Sequence, residues 1–304
     1  MTIRHRSYGP IKQKRGNTLV ELLVALPLAG LLGAIAIAQI LNVNALARRL
    51  NSSTEISREL RHAGEILASE LRPLAGADLI AWSDTAIEFH GMVGSGVVCA
   101  TPFPNAIELL PLHGDDALRT TWFATPQAGD DVWTIPTDTM PMPQAESWQA
   151  SSLQSTASVA TSPCTILPLL TNGLSATGAV QRITVTANLP HKPQAGTLLR
   201  ISRRTRYSLY KASDGLWYLG RKSLGNTGWT TSQPVAGPLL SATNVGLRVL
   251  VRDSVESPIA FGNSRTPHSI GITLHSSSRW TRPTSQAGIA DSLHLNITLR
   301  GGIR

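Results

Sequence analysis

The sequence is short of several things, and each shortage closes a route. Cys99 and Cys164 are the only cysteines. With no CxxC and no Cys/His cluster, a zinc ribbon or a thioredoxin-like redox centre is excluded. No G-x-S-x-G elbow, HExxH helix or P-loop occurs, which removes the commonest hydrolase, metalloprotease and nucleotide-phosphate signatures. No internal repeat is present, so solenoid and propeller architectures drop out. Acidic residues are missing from the first 16 positions, and charge of either sign is missing from 22–41.

What remains is the composition of a folded protein, 304 residues with 42% hydrophobic and 15% charged side chains, long enough for one large or two modest domains. The formal net charge of +8 invites a nucleic-acid reading. Its distribution argues otherwise. Arg4, Arg6, Lys12, Lys14 and Arg15 supply five of those charges, and the rest of the chain carries only +3. A basic tag just ahead of an apolar run reports topology: the N-terminus stays in the cytoplasm and the chain beyond the run is exported.

The uncharged run 22–41 would span roughly 30 Å as a helix, about one hydrocarbon thickness. Such a start can be processed in two ways. Ordinary signal peptidase would use the small-x-small site Ala36-Ile37-Ala38 and cut before Gln39. The alternative is a cut ahead of the run, so that the run is kept as a helix. Glu21 separates the two. A carboxylate at the apolar edge of a bilayer costs about 2.5–3.5 kcal/mol on insertion scales, and a disposable segment has no use for it. A cut after Gly16 makes Asn17 the first residue and Glu21 the fifth. A neighbouring subunit's new α-amine could then meet Glu21 and neutralise two buried charges together. At minimum, Glu21 complements the positive end of the helix.

The stretch Gly16-Asn17-Thr18-Leu19-Val20-Glu21-Leu22-Leu23-Val24-Ala25 resembles the N-terminal motif of type IV pilin-like proteins, usually written G-F-T-L-V-E-L-L-V-A. It departs from that pattern at Asn17, where phenylalanine is usual. The resemblance implies cleavage by a prepilin peptidase between Gly16 and Asn17, methylation of the new amine, and a membrane-stored subunit later drawn into a filament through its helix. Pro27 comes earlier than the usual pilin proline and is expected to kink or locally open that helix. Further along, RYSLYKASDGLWYLGRK, PVAGPLL and SLHLNITLR are more loosely similar to the β domains of larger minor pseudopilins, the J-type subunit of type II secretion and the W-type minor pilin of type IV pili.

Beyond the run, Val43, Leu46, Leu50, Ile56, Leu60, Ala63, Leu67, Leu71 and Leu74 recur at three- and four-residue steps, an amphipathic stripe that Pro73 and Gly76 end. Short β-type segments come next, at 86–90, 96–100, 106–110, 120–124, 131–135, 181–187, 197–202, 206–211, 217–221, 245–252, 269–275 and 292–300, with a hairpin turn at Asp214-Gly215. The span 136–163 is rich in Ser, Thr, Pro and Gln and reads as a long exposed loop. The expected fold is α+β: a long N-terminal helix, transmembrane then amphipathic, packed on a mainly antiparallel β-sheet domain. The expected organisation is a cleaved leader at 1–16, a helix at 17–75 with its transmembrane half at 22–41, and a periplasmic β-rich domain at 76–304.

Candidate chemistry is sparse. In an oxidising periplasm Cys99 and Cys164 are expected to form a disulfide, contributing roughly 4 kcal/mol in the chain-entropy picture. Gly91-Met-Val-Gly94-Ser-Gly96 imitates a phosphate loop but lacks the helix that should come after it, and reads as a turn. Asp115-Asp116 and Asp130-Asp131 lack EF-hand spacing and read as solvated loop acids. His268 and His275 fall on opposite faces of one strand, so no metal site is expected there. The one basic patch of the mature domain is Arg200, Arg203, Arg204 and Arg206. It reads as a solvated or edge-guarding row, with DNA phosphates as the competing partner. The resulting expectation is a non-enzymatic minor pilin or pseudopilin without cofactors. It is held in the inner membrane before joining a type IV pilus or type II secretion pseudopilus, and its partners are prepilin peptidase and other pilin-like subunits. The alternative is a secreted β-rich binding protein or adhesin released after Ala38.

Overall fold

The computed structural model describes residues 19–111, 120–135, 148–159, 179–189, 192–277 and 289–300. The chain divides into two compact units, Met1–Ser52 and Ser53–Arg304. The only α-helix among the described residues, α1, runs from Leu19 to Leu71. Glu21 stands in its first turn, the positive end of the helix. Pro27 lies inside α1 and does not interrupt it. The expected local opening is therefore not seen: one missing N–H removes one bond of the ladder, while bonds on either side persist. The helix stops where Pro73 cannot continue it; Arg72 N–H still reaches the Ala68 carbonyl (3.0 Å), and Leu74 N–H reaches Leu71 (3.2 Å).

The apolar stripe is not uniform in its burial. In the first unit Val43, Leu46 and Leu50 are exposed, like the apolar residues before them. In the second unit Ile56, Leu60, Ala63, Leu67 and Leu71 are buried.

Among the described residues there are fourteen strands: β1 (Leu79–Ser83), β2 (Ala86–Phe103), β3 (Ala106–Leu109), β4 (Thr121–Trp122), β5 (Asp131–Thr134), β6 (Gln149–Val159), β7 (Val180–Val185), β8 (Leu198–Lys211), β9 (Trp217–Gly225), β10 (Gly228–Trp229), β11 (Gln233–Leu239), β12 (Leu247–Arg252), β13 (Ser269–Ser277) and β14 (Ile289–Thr298). Every pairing among them is antiparallel. The hydrogen-bonded path is β1-β2-β3-β7-β6-β5-β8-β9-β11-β13-β12, and a further pairing joins β2 to β8. That extra seam closes β2, β3, β7, β6, β5 and β8 into a ring. Each ring strand sends a side chain into one buried cluster: Val93 and Val98, Ile107 and Leu109, Ile183 and Val185, Leu153, Val132, and Leu199 and Ile201. A second cluster gathers Phe89, Tyr207, Leu219, Leu239, Val249, Ile272 and Ile297 with Ile56, Leu60, Ala63, Leu67 and Leu71. The long strands β2 and β8 serve both clusters, one with each half.

Several expected boundaries change. The segments 86–90 and 96–100 are parts of one strand, and the expected turn at 91–96 is strand too. Its glycines are there for close approach: a Cβ at Gly94 would strike the Trp122 ring and sit 2.7 Å from the Thr121 carbonyl oxygen. A register shift between Met92 and Gly94 absorbs the extra residue. The segments 197–202 and 206–211 likewise merge into β8. The expected loop 136–163 contains β6, and its residues 136–147 and 160–163 lie outside the described residues. β6 pairs with both β5 and β7, so ladder hydrogen bonds hold it while it buries chiefly Leu153. The β8–β9 hairpin turns where expected, with Gly215 at φ +82° and Leu216 N–H donating to Asp214 Oδ1 (2.9 Å).

Candidate functional site

Two features invite a functional reading: the apolar start of α1 and the arginine row of β8. Within α1, Glu21–Ala47 is long and apolar enough to cross a membrane, and none of it is buried in the chain itself. Leu23, Leu26, Leu31, Leu32, Ile37 and Leu41 are each at least 60% exposed. Water does not tolerate so continuous an apolar surface. Gly16 and Asn17 lie outside the described residues.

The arginine row does not lie on a sheet edge. β8 is paired along both sides, with β2 on one and β5 then β9 on the other. Three of its arginines are matched to carboxylates. Arg200 Nη1 donates to Asp78 Oδ1 (3.0 Å). Arg203 grips the fully buried Asp130 through Nε (2.6 Å) and Nη2 (2.8 Å). Arg204 donates twice to Glu88. Arg206 is exposed. The expected solvated Asp130 is thus corrected: Arg203 and the Gln127 N–H (2.8 Å) replace its water. Asp115 and Asp116 lie outside the described residues. Three of the four guanidinium charges of the row are thus met by carboxylates of the chain itself.

Asp78, Glu88 and the Glu108–Arg182 pair (2.6 Å) were not singled out from the sequence. Alternation alone places Glu88 on one face of its strand, but which arginine it meets depends on the β2–β8 register. No local signal carries that register.

Other polar groups come together nearby. His90 Nδ1 is 3.2 Å from Asp131 Oδ2, within ion-pair distance but off the line of a hydrogen bond. The His90 ring meets Trp133 edge to face. Ser202 is wholly buried and accepts the Trp133 indole N–H (2.7 Å). Burial, then the nearby Glu70 carboxylate, pushes the Tyr207 hydroxyl well above the usual tyrosine range. Cys99, on β2, is buried and disulfide-bonded; Cys164 lies outside the described residues. Among the described residues no group of three or more His, Cys, Asp or Glu side chains could hold a metal ion.

No protein-family model, curated protein or solved structure matches the chain.

Proposed function

We propose that the protein is a minor pilin or pseudopilin, a structural subunit stored in the inner membrane through Glu21–Ala47 with its β-rich unit in the periplasm. The carrying observation is the unburied apolar span that opens α1 with Glu21 in its first turn. Its need for a surrounding apolar phase is met first by lipid and then by the helices of neighbouring subunits. The sequence Gly16-Asn17 ahead of it supplies the cleavage point, and Glu21 the partner for a neighbour's α-amine. The buried face Ile56-Leu60-Ala63-Leu67-Leu71 docks the second half of the helix onto the sheet. Prepilin peptidase and other pilin-like subunits are the partners this role requires, and Cys164 is the partner proposed for Cys99.

The deciding measurement is the N-terminus and intact mass of the processed chain taken from membranes of its own host. The expected result is a start at Asn17, with or without one methyl group, and a mass lower by two hydrogens than that of the reduced chain. A start at Gln39 would overturn the reading in favour of a β-rich protein released after Ala38.

A further inference from the structure

The outward face of β13 and β14 holds a pair of histidines that no sequence motif announces. Thr273 stands directly opposite His294, and His275 opposite Ser292. His275 and His294 are therefore diagonal neighbours across one strand boundary. Ile272, Leu274 and Ile297 point the other way, into the core, so both imidazoles lie on the outer side. Their rings meet edge to face with centroids 6.1 Å apart.

What distinguishes this pair is how each ring is held. His275 Nδ1 lies 2.8 Å from the Val245 carbonyl oxygen. A carbonyl only accepts, so Nδ1 carries the hydrogen, and in the neutral ring the lone pair is on Nε2. The carbonyl is itself fixed by unusual backbone: Val245 is β-branched yet sits in the left-handed region at φ 57°. His294 Nδ1 is 3.1 Å from the Thr273 hydroxyl. Its Nε2 has only a long contact to Ser292 Oγ, 3.5 Å. Both rings are thus anchored at Nδ1 by an oxygen of a neighbouring residue, with His294 exposed and His275 half-buried. Imidazole ligands of protein metal sites are oriented in this way, by an outer hydrogen bond that fixes tautomer and ring plane.

We propose that His275 and His294 form a two-imidazole chelate for a late first-row divalent metal ion, with Cu(II) held more tightly than Zn(II). The two Nε2 atoms are the protein ligands and solvent completes the coordination. Coordination through both Nε2 atoms, at the 2.0–2.1 Å typical of zinc–imidazole bonds, requires the two rings, whose centroids lie 6.1 Å apart, to rotate toward a shared ion. Arg248, in register with Thr273 on the far side, is the nearest cation in that row and is exposed, free to turn its charge into water.

The test is a Cu(II) titration of the untagged full-length chain in detergent micelles, monitored by electron paramagnetic resonance, with Zn(II) as competitor. The expected result is a saturable site of one ion per chain whose spectrum shows nitrogen coupling. That site is lost in His275→Ala and in His294→Ala, weakened about tenfold in Thr273→Val, and partly displaced by excess Zn(II). Melting temperature serves as the control for folding, and exposed positions such as His294 should leave it nearly unchanged. Unchanged Cu(II) binding in both histidine variants, including binding at the chain's own amino terminus alone, overturns the proposal. So does a signal without imidazole nitrogen.

Discussion

The four arginines of β8 share one strand but not one environment. Asp130 is fully buried, and its charge is met by Arg203 and a single backbone N–H. Arg203→Met strands that carboxylate and is expected to cost about 3–5 kcal/mol, read as a lower urea midpoint. Arg203→Met combined with Asp130→Leu should cost less than Arg203→Met alone, because the unpaired charge is gone. Arg206→Ala, on an exposed side chain, should stay within about 0.5 kcal/mol of the parent. Equal losses at Arg203 and Arg206 would refute the distinction. In the first turn of α1, Glu21→Gln keeps shape and removes charge. We expect this variant to insert in the membrane at normal levels but to enter filaments poorly, measured by immunoblot of membrane and sheared-filament fractions. Normal incorporation would remove the pairing with a neighbour's amine.

At the scale of elements, the loop after β12 is organised by one carboxylate. Asp253 accepts N–H bonds from Ser257 (2.9 Å) and Val255 (3.1 Å) and an Arg265 contact (2.9 Å). The Ser257 N–H leads in holding its pKa below the ordinary aspartate range, with Val255 and Arg265 acting in the same direction. A depressed folded pKa means the stabilisation is fully present above the ordinary value, about 4, and is lost as pH falls through the lower folded value. Asp253→Asn should therefore be less stable at neutral pH and show a shallower acid limb in a pH series of thermal melts; parallel limbs would disprove the assignment. Elements also differ in how plainly they show in the sequence. The helix, the Asp214-Gly215 hairpin and most strands announce themselves through periodicity and turn chemistry. β6 does not, because Ser, Thr and Ala form a strand there chiefly through two neighbours. Nor does the unity of β2, whose glycines look like a break until Trp122 is seen lying against one of them.

For the whole molecule, the division at Ser52 and Ser53 separates a part that needs an apolar phase from one that has its own core. A fragment covering Ser53–Arg304 is expected to stay in solution without detergent and to unfold cooperatively, whereas the full chain should require lipid or detergent. Loss of near-ultraviolet dichroism or gradual melting in the fragment would contradict this. The apolar stretch long enough to cross a membrane was legible at once, since length and apolarity are local properties. The carboxylates that neutralise the arginine row and the His275–His294 pair were not, because each depends on the register between strands. The closed ring has a further consequence, in time rather than in space. Its last seam sets Ala86 opposite Ser208, so the β8 pairing of β2 must wait until the chain has extended through residue 208. Topologies dominated by such distant pairings reach the native state on the order of milliseconds to seconds. A domain emerging in chain order would expose β2 first and β8 much later, leaving one long strand edge open in the interval.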